Sequence, residues 1–225
     1  DLESSLAGVP PGERRGNLER MNQLFQSYVA DFARVVETRR ARDALVNGEL
    51  APTGQRAREN LSQIIATAMA DGDMASAALA GQAQEALMLA RLSAQRFLTS
   101  PDEKTAQEVR SRNKAFNVVI RTLAERQSDP VRRRLAGETD QLSDRYVEIF
   151  DRVATTIGDN AALIVHMAAM GAEFANIVDR TIALETAERD TLLADTQAGM
   201  DATLATDLAI AGGALALGLL LAWLV

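Results

Sequence analysis

Residues 18–46 read LERMNQLFQSYVADFARVVETRRARDALV. Apolar side chains recur at Leu18, Met21, Phe25, Tyr28, Phe32 and Val35, alternately three and four apart. That is the period of an amphipathic helix packed along a heptad seam. The same rule carried forward puts Arg39, Arg42 and Val46 on the seam. Asn47-Gly48 then reads as a helix end, with Pro52 and Gly54 beyond it. Helix resumes over 57–98, weakened at Asp71-Gly72-Asp73. Thr99-Ser100-Pro101-Asp102 reads as a turn, with Ser100 as N-cap and Pro101 at the first helical position.

The next seam runs Val109, Arg112, Phe116, Val119 and Leu123 until Ser128-Asp129-Pro130 interrupts it. Leu135, Leu142, Tyr146, Phe150, Val153 and Ile157 follow. Gly158-Asp159-Asn160 is a soft spot, after which the pattern Leu163, Met167, Met170 and Phe174 leads onward. Pro10-Pro11-Gly12 keeps residues 1–12 irregular.

Composition agrees with helices throughout. Of 225 residues, 47% are apolar but only 4% aromatic, too few for a sandwich or barrel of short strands. The absence of cysteine excludes disulfides, thiolate metal sites and a cysteine nucleophile. One histidine, His166, excludes mechanisms that need two. It lies beside the seam, where a surface or boundary role is the ordinary one. No Gly-rich phosphate loop and no E-x-x-H pair is present, so no cofactor, metal or enzymatic activity is expected. A net charge of −7 disfavours nucleic acid.

Tyr28-Val29-x-x-Phe32-x-Arg34-Val35 returns as Tyr146-Val147-x-x-Phe150-x-Arg152-Val153. A duplicated helical hairpin closes naturally into an elongated antiparallel four-helix bundle. Breaks at Gly72 and Pro130 could divide it into two stacked bundles. In this echo Arg42 aligns with Asn160, a second polar residue on the seam.

Residues 208–225, LAIAGGALALGLLLAWLV, carry no charge and are long enough for a transmembrane helix. The chain is expected to have lost its true start before Asp1 and to continue past Val225. A first membrane helix before Asp1 is left open. Asp190, Asp195, Asp201 and Asp207 flank the apolar run, and the last basic residue before it is Arg189. Cytoplasmic flanks carry Lys and Arg, so residues 13–207 are expected outside the cytoplasm as one helical domain.

Arginines on a helix seam are the chemical oddity. A buried cation without a partner is very costly. Glu37, Asp43 or a neighbouring helix can supply a carboxylate, the arginines can snorkel outward, or a bound anion can provide the countercharge. The last option makes Arg39, Arg42 and Asn160 a candidate pocket for a small carboxylate. Arg91, at the edge of an apolar face in Gln84-x-x-Leu87-x-x-x-Arg91, is a further candidate. Arg132-Arg133-Arg134 reads as a solvated face.

The stretch Gln82-Ala83-Gln84-Glu85-Ala86-Leu87-Met88-Leu89-Ala90-Arg91, through Phe97-Leu98 and its Ser-Pro-Asp turn, resembles periplasmic sensor regions of bacterial methyl-accepting chemotaxis proteins. So does Arg42-Asp43-x-Leu45-Val46 with Leu50-x-Pro52-Thr53-Gly54, and its partial echo Asn160-x-x-Leu163-Ile164 with Gly171. The nearest class is the helical bimodular (HBM) type, over roughly residues 20–205. The resemblance implies a homodimeric receptor of the bacterial inner membrane with residues 1–207 in the periplasm. It implies a small-molecule ligand, organic acids among them, met directly or on a periplasmic binding protein. A helix displacement would then reach a cytoplasmic signalling module. Related domains serve histidine kinases and diguanylate cyclases, and a non-sensing membrane-anchored stalk is the structural alternative. No site residue is carried over from the resemblance.

Overall fold

The computed structural model describes residues 12–195. Residues 1–11 and 196–225, and with them the apolar run 208–225, lie outside the described residues. The described chain is all-α: α1 (Glu13–Leu45), a π-helical turn (Val46–Leu50), α2 (Ala51–Ala70), α3 (Met74–Thr99), α4 (Glu103–Arg126) and α5 (Pro130–Asp195). No strand occurs among the described residues.

The turns follow from local chemistry. Gly72, at φ +76°, reverses the chain between α2 and α3 in a conformation open to glycine. Asp73 then caps α3, its carboxylate accepting from Ser76 N–H at 3.0 Å. Asp102 caps α4 through Thr105 N–H at 2.6 Å, and Thr105 Oγ1 accepts from Asp102 N–H at 3.2 Å. The cap is therefore Asp102, not Ser100, and Pro101 stays in the turn. A reciprocal box satisfies two orphan amides where Ser100 would satisfy one. Asp129 caps α5 through Arg132 N–H at 2.7 Å, with Pro130 opening the helix.

Two sequence expectations fail here. Gly158-Asp159-Asn160 does not soften α5, which is helical through it. Nor does the first helix end at Gly48. Ala51 N–H bonds to Val46 O, five residues back, and the helix runs on into α2. The extra residue in that turn accommodates Pro52, which has no N–H to give and would clash with a carbonyl four residues earlier.

The chain divides into two compact units, Arg20–Phe174 and one formed by the segments flanking it. In the flanking unit Arg14 pairs with Glu185 at 3.1 Å and Asn17 Nδ2 donates to Thr181 Oγ1 at 3.2 Å. The larger unit holds two hydrophobic clusters. Leu61 and Ile64 of α2, Ala83 and Leu87 of α3, Phe116, Ile120 and Leu123 of α4, and Leu135 of α5 share the first. Leu45, Leu50, Phe97, Val109, Tyr146, Ile149, Phe150 and Val153 share the second. Between Val109 and Phe116 on α4 sits buried Asn113; between Ala136 and Tyr146 on α5 sits buried Ser143. Asn113 Nδ2 donates to Ser143 Oγ at 3.0 Å, so a polar step separates the clusters.

Gly72 and Pro130 do not mark a division between stacked units. Arg132 of α5 reaches Asp71 at 2.6 Å and Asp73 at 3.5 Å, which ties both breaks together at one end. Arg132 is thus not part of a solvated face: it is 5% exposed, and Nε also donates to Gln127 Oε1 at 3.1 Å. Arg133 and Arg134 are exposed; Arg133 donates twice to Gln127 O, and Arg134 lies 3.9 Å from Glu138.

By length and composition, one helix segment among the described residues, Pro130–Ala187, is apolar enough to cross a membrane. Its most apolar 18-residue window has mean hydropathy 1.6 and is 17% buried. Charged Arg145, Glu148, Asp151 and Arg152 surround Tyr146, so that part of α5 belongs in water.

Candidate functional site

The seam of α1 is one position out of phase with its sequence reading. Met21, Leu24, Asp31, Val35 and Leu45 are buried, whereas Phe25 is 48% exposed. The two heptad phases share positions 21, 28, 35 and 42, so Arg42 keeps its place while Arg39 moves to the flank. On α4 the same correction replaces Arg112 and Val119 by buried Asn113 and Ile120.

Arg39, Arg42 and Asn160 do come together. With Thr38, Thr156 and Ile157 they line a cleft between α1 and α5 of about 40 Å³. That is room for a few waters. Asn160 Oδ1 accepts from Thr38 Oγ1 at 3.0 Å. Arg42 pairs with Asp43 at 2.8 Å, so its countercharge comes from the next residue. The cleft is a small polar contact between two helices.

Arg91 lies elsewhere, in a larger cleft of about 300 Å³. That volume is at the lower edge of the range for small-molecule sites, about 300–1,000 Å³. Val46 and Leu50 of the π-turn form one wall. Met88, Leu92 and Leu98 of α3 form another, and Tyr146 of α5 closes it. Arg91 and Gln95 supply the polar groups on α3. Among the described residues Arg91 makes no ion pair and no hydrogen bond. Tyr146 is 5% exposed, and its hydroxyl likewise has no partner among them. Burial pushes that phenol up to about 12, and the nearby Arg91 charge pulls it in the opposite direction.

Gly54 makes the arrangement possible. A Cβ there would lie 3.2 Å from Arg91 Cδ and Nε and 3.2 Å from Tyr146 Cε2. A Cβ there would require the two side chains to give by a few tenths of an ångström.

His166 is a boundary residue, its side chain 64% exposed, yet it is not idle. Its Nδ1–H donates at 2.6 Å to Asp31, whose side chain is 10% exposed. Arg34 reaches the other Asp31 oxygen at 3.3 Å. Sequence reading passed over Asp31, although the echo aligns it with Ile149 and so offers a carboxylate on a core position. The hydrogen bond from His166 and the Arg34 charge hold the Asp31 carboxyl below its ordinary value of 3.8, against an opposing effect of burial. A depressed carboxylate stabilises the fold above its unfolded pKa, and that contribution is lost as pH falls through the folded one. Thermal melts at pH 7 and pH 3 should therefore show Asp31→Asn starting lower than the parent at pH 7 and losing less on acidification. Equal losses in both would exclude Asp31 from the acid limb.

Among the described residues no cluster of three His, Asp or Glu side chains can hold a metal ion. Comparison with known proteins finds no matching family model and no matching curated protein.

Proposed function

We propose that this chain is the extracytoplasmic ligand-sensing domain of a transmembrane chemoreceptor. In this reading α2–α5 pack as an antiparallel four-helix bundle, with one hydrophobic cluster stacked on the other. Residues 208–225 anchor the chain in a bacterial inner membrane, with residues 1–207 in the periplasm. The observation that carries the reading is the cleft beside the π-turn. It puts an arginine without a carboxylate and a buried phenol without a partner in a space of ligand size. A stalk that only spans distance has no evident use for an uncommitted cation and an uncommitted hydroxyl on one cleft. A catalyst would need reactive groups that this cleft lacks, so the site is one of binding.

The cleft touches α3, α5 and the π-turn that joins α1 to α2. A ligand that binds one arrangement of these elements better than another shifts the balance between them. Displacements of about 1–2 Å in packed helices are the usual currency of such switches. The same domain would serve a histidine kinase or a diguanylate cyclase equally well, and a binding protein could present the ligand. Phe25 and Val29 on α1, with Ile164 and Val165 on α5, remain exposed and support a homodimer.

The test is a thermal-shift screen of the chain in lipid nanodiscs against small organic acids at millimolar concentration. At least one acid should raise the melting temperature by a few degrees. A flat response to the whole panel would remove the support for sensing.

A further inference from the structure

The geometry points to a particular ligand class for the Arg91 cleft: a monocarboxylate with a short aliphatic or aromatic tail. This rests on the receptor reading and narrows it. Arg91 is the single charged side chain lining the cleft. Its planar fork matches one carboxylate, and no protein carboxylate occupies it among the described residues. The Tyr146 hydroxyl and the Gln95 amide stand on the same cleft as neutral hydrogen-bonding groups. Beyond them the walls are Val46, Leu50, Leu92 and Leu98. A second carboxylate would lie against those walls with no cation to meet it, and an unpaired charge on apolar surface is strongly disfavoured. A tail of hydrocarbon would instead exclude water from them. Acetate would satisfy Arg91 and leave the walls wet.

Tyr146 gives the site a measure of depth. Tyr146 packs in the second hydrophobic cluster and also lines the cleft, and its hydroxyl makes no hydrogen bond among the described residues. A carboxylate held by Arg91 can accept from that hydroxyl and satisfy it. Gly54 sets the approach of both side chains, so the site depends on a backbone position as well as on charge.

Hexanoate is the probe, with acetate, succinate and the neutral hexanol as comparisons. All are titrated into the chain in nanodiscs, read by thermal shift and by the tyrosine ultraviolet difference spectrum. Hexanoate should bind at least tenfold more tightly than acetate or succinate, and hexanol should not perturb the tyrosine spectrum. Arg91→Met, which keeps an apolar stem, should weaken hexanoate at least tenfold while far-ultraviolet circular dichroism stays unchanged. Gly54→Ala should weaken it by displacing Arg91 or Tyr146, and exposed Arg134→Ala should leave it unaltered. Hexanoate binding that survives Arg91→Met within twofold would overturn the inference. So would a preference for succinate that Arg42→Ala abolishes, an outcome that keeps the receptor reading and moves its site. Silence from every acid would overturn both.

Discussion

Phe150→Ala should cost about 3–5 kcal/mol of stability, the range for truncating a fully buried phenylalanine. Phe150 is 0% exposed and sits in the second hydrophobic cluster, among Val109, Tyr146, Ile149 and Val153. Its ring meets Phe97 edge to face, with centroids 5.1 Å apart and planes 66° apart. Such a pair adds about 0.5–1.5 kcal/mol beyond the area it buries. Three helices meet at this point, because Phe97 comes from α3, Val109 from α4 and Phe150 from α5. A cavity here therefore cannot close by the shift of one side chain. Chemical denaturation of the parent, Phe150→Leu and Phe150→Ala should give losses that rise in that order. Because Tyr146 is one turn away on the same helix, Phe150→Ala should also weaken any ligand held in the Arg91 cleft. A loss under 1 kcal/mol would mean that α5 does not pack as described.

The places where sequence reading succeeds are those where chemistry is local. Asp71-Gly72-Asp73 and Ser128-Asp129-Pro130 delimit helices because an αL glycine, an aspartate cap and a ring-locked proline act on their immediate neighbours. Heptad phase is not local. Residues 18–46 admit two phases that differ at Leu24 against Phe25 and at Asp31 against Phe32. Only the surface presented by α5 chooses between them. His166 decides the matter chemically, since it gives Asp31 a partner that makes its burial tolerable. Arg39, Arg42 and Asn160 were legible as neighbours through the internal echo, which pairs a position on α1 with one on α5. The countercharge of Arg42 was legible too, in Asp43. What spacing could not reveal was the larger cleft around Arg91, because Gly54 and Tyr146 reach it from different helices.

Gly48 and Pro52 mislead a sequence reader in a way that sets up a sharp experiment. Both signal the end of a helix, yet here they accompany one extra residue inside a continuing one. On α1 the buried positions include Val35 and Leu45; on the far side of the π-turn they resume at Leu50, Thr53 and Ala57. A step of five from Leu45 to Leu50 replaces the three or four of an unbroken seam. Deleting Gly48 would restore regular α-helical bonding and a step of four from Leu45 to the next seam residue, so α1 would keep its face. Met21, Leu24 and Val35 would stay on the seam, and Asp31 would keep His166. Pro52 would then stand inside a regular helix, at a cost of about 3 kcal/mol. Gly48→Ala keeps the chain length and should act in the opposite sense. Nothing lies within 4 Å of a Cβ at that position, and its φ is not positive. Alanine there should stabilise by about 0.5–1 kcal/mol through backbone entropy alone. Thermal melts of the two variants should therefore move in opposite directions from the parent. Hydrogen exchange on the deletion should show protection lost around residues 46–56 while residues 20–40 keep theirs. If the deletion melts with the parent, the extra residue is not what accommodates Pro52.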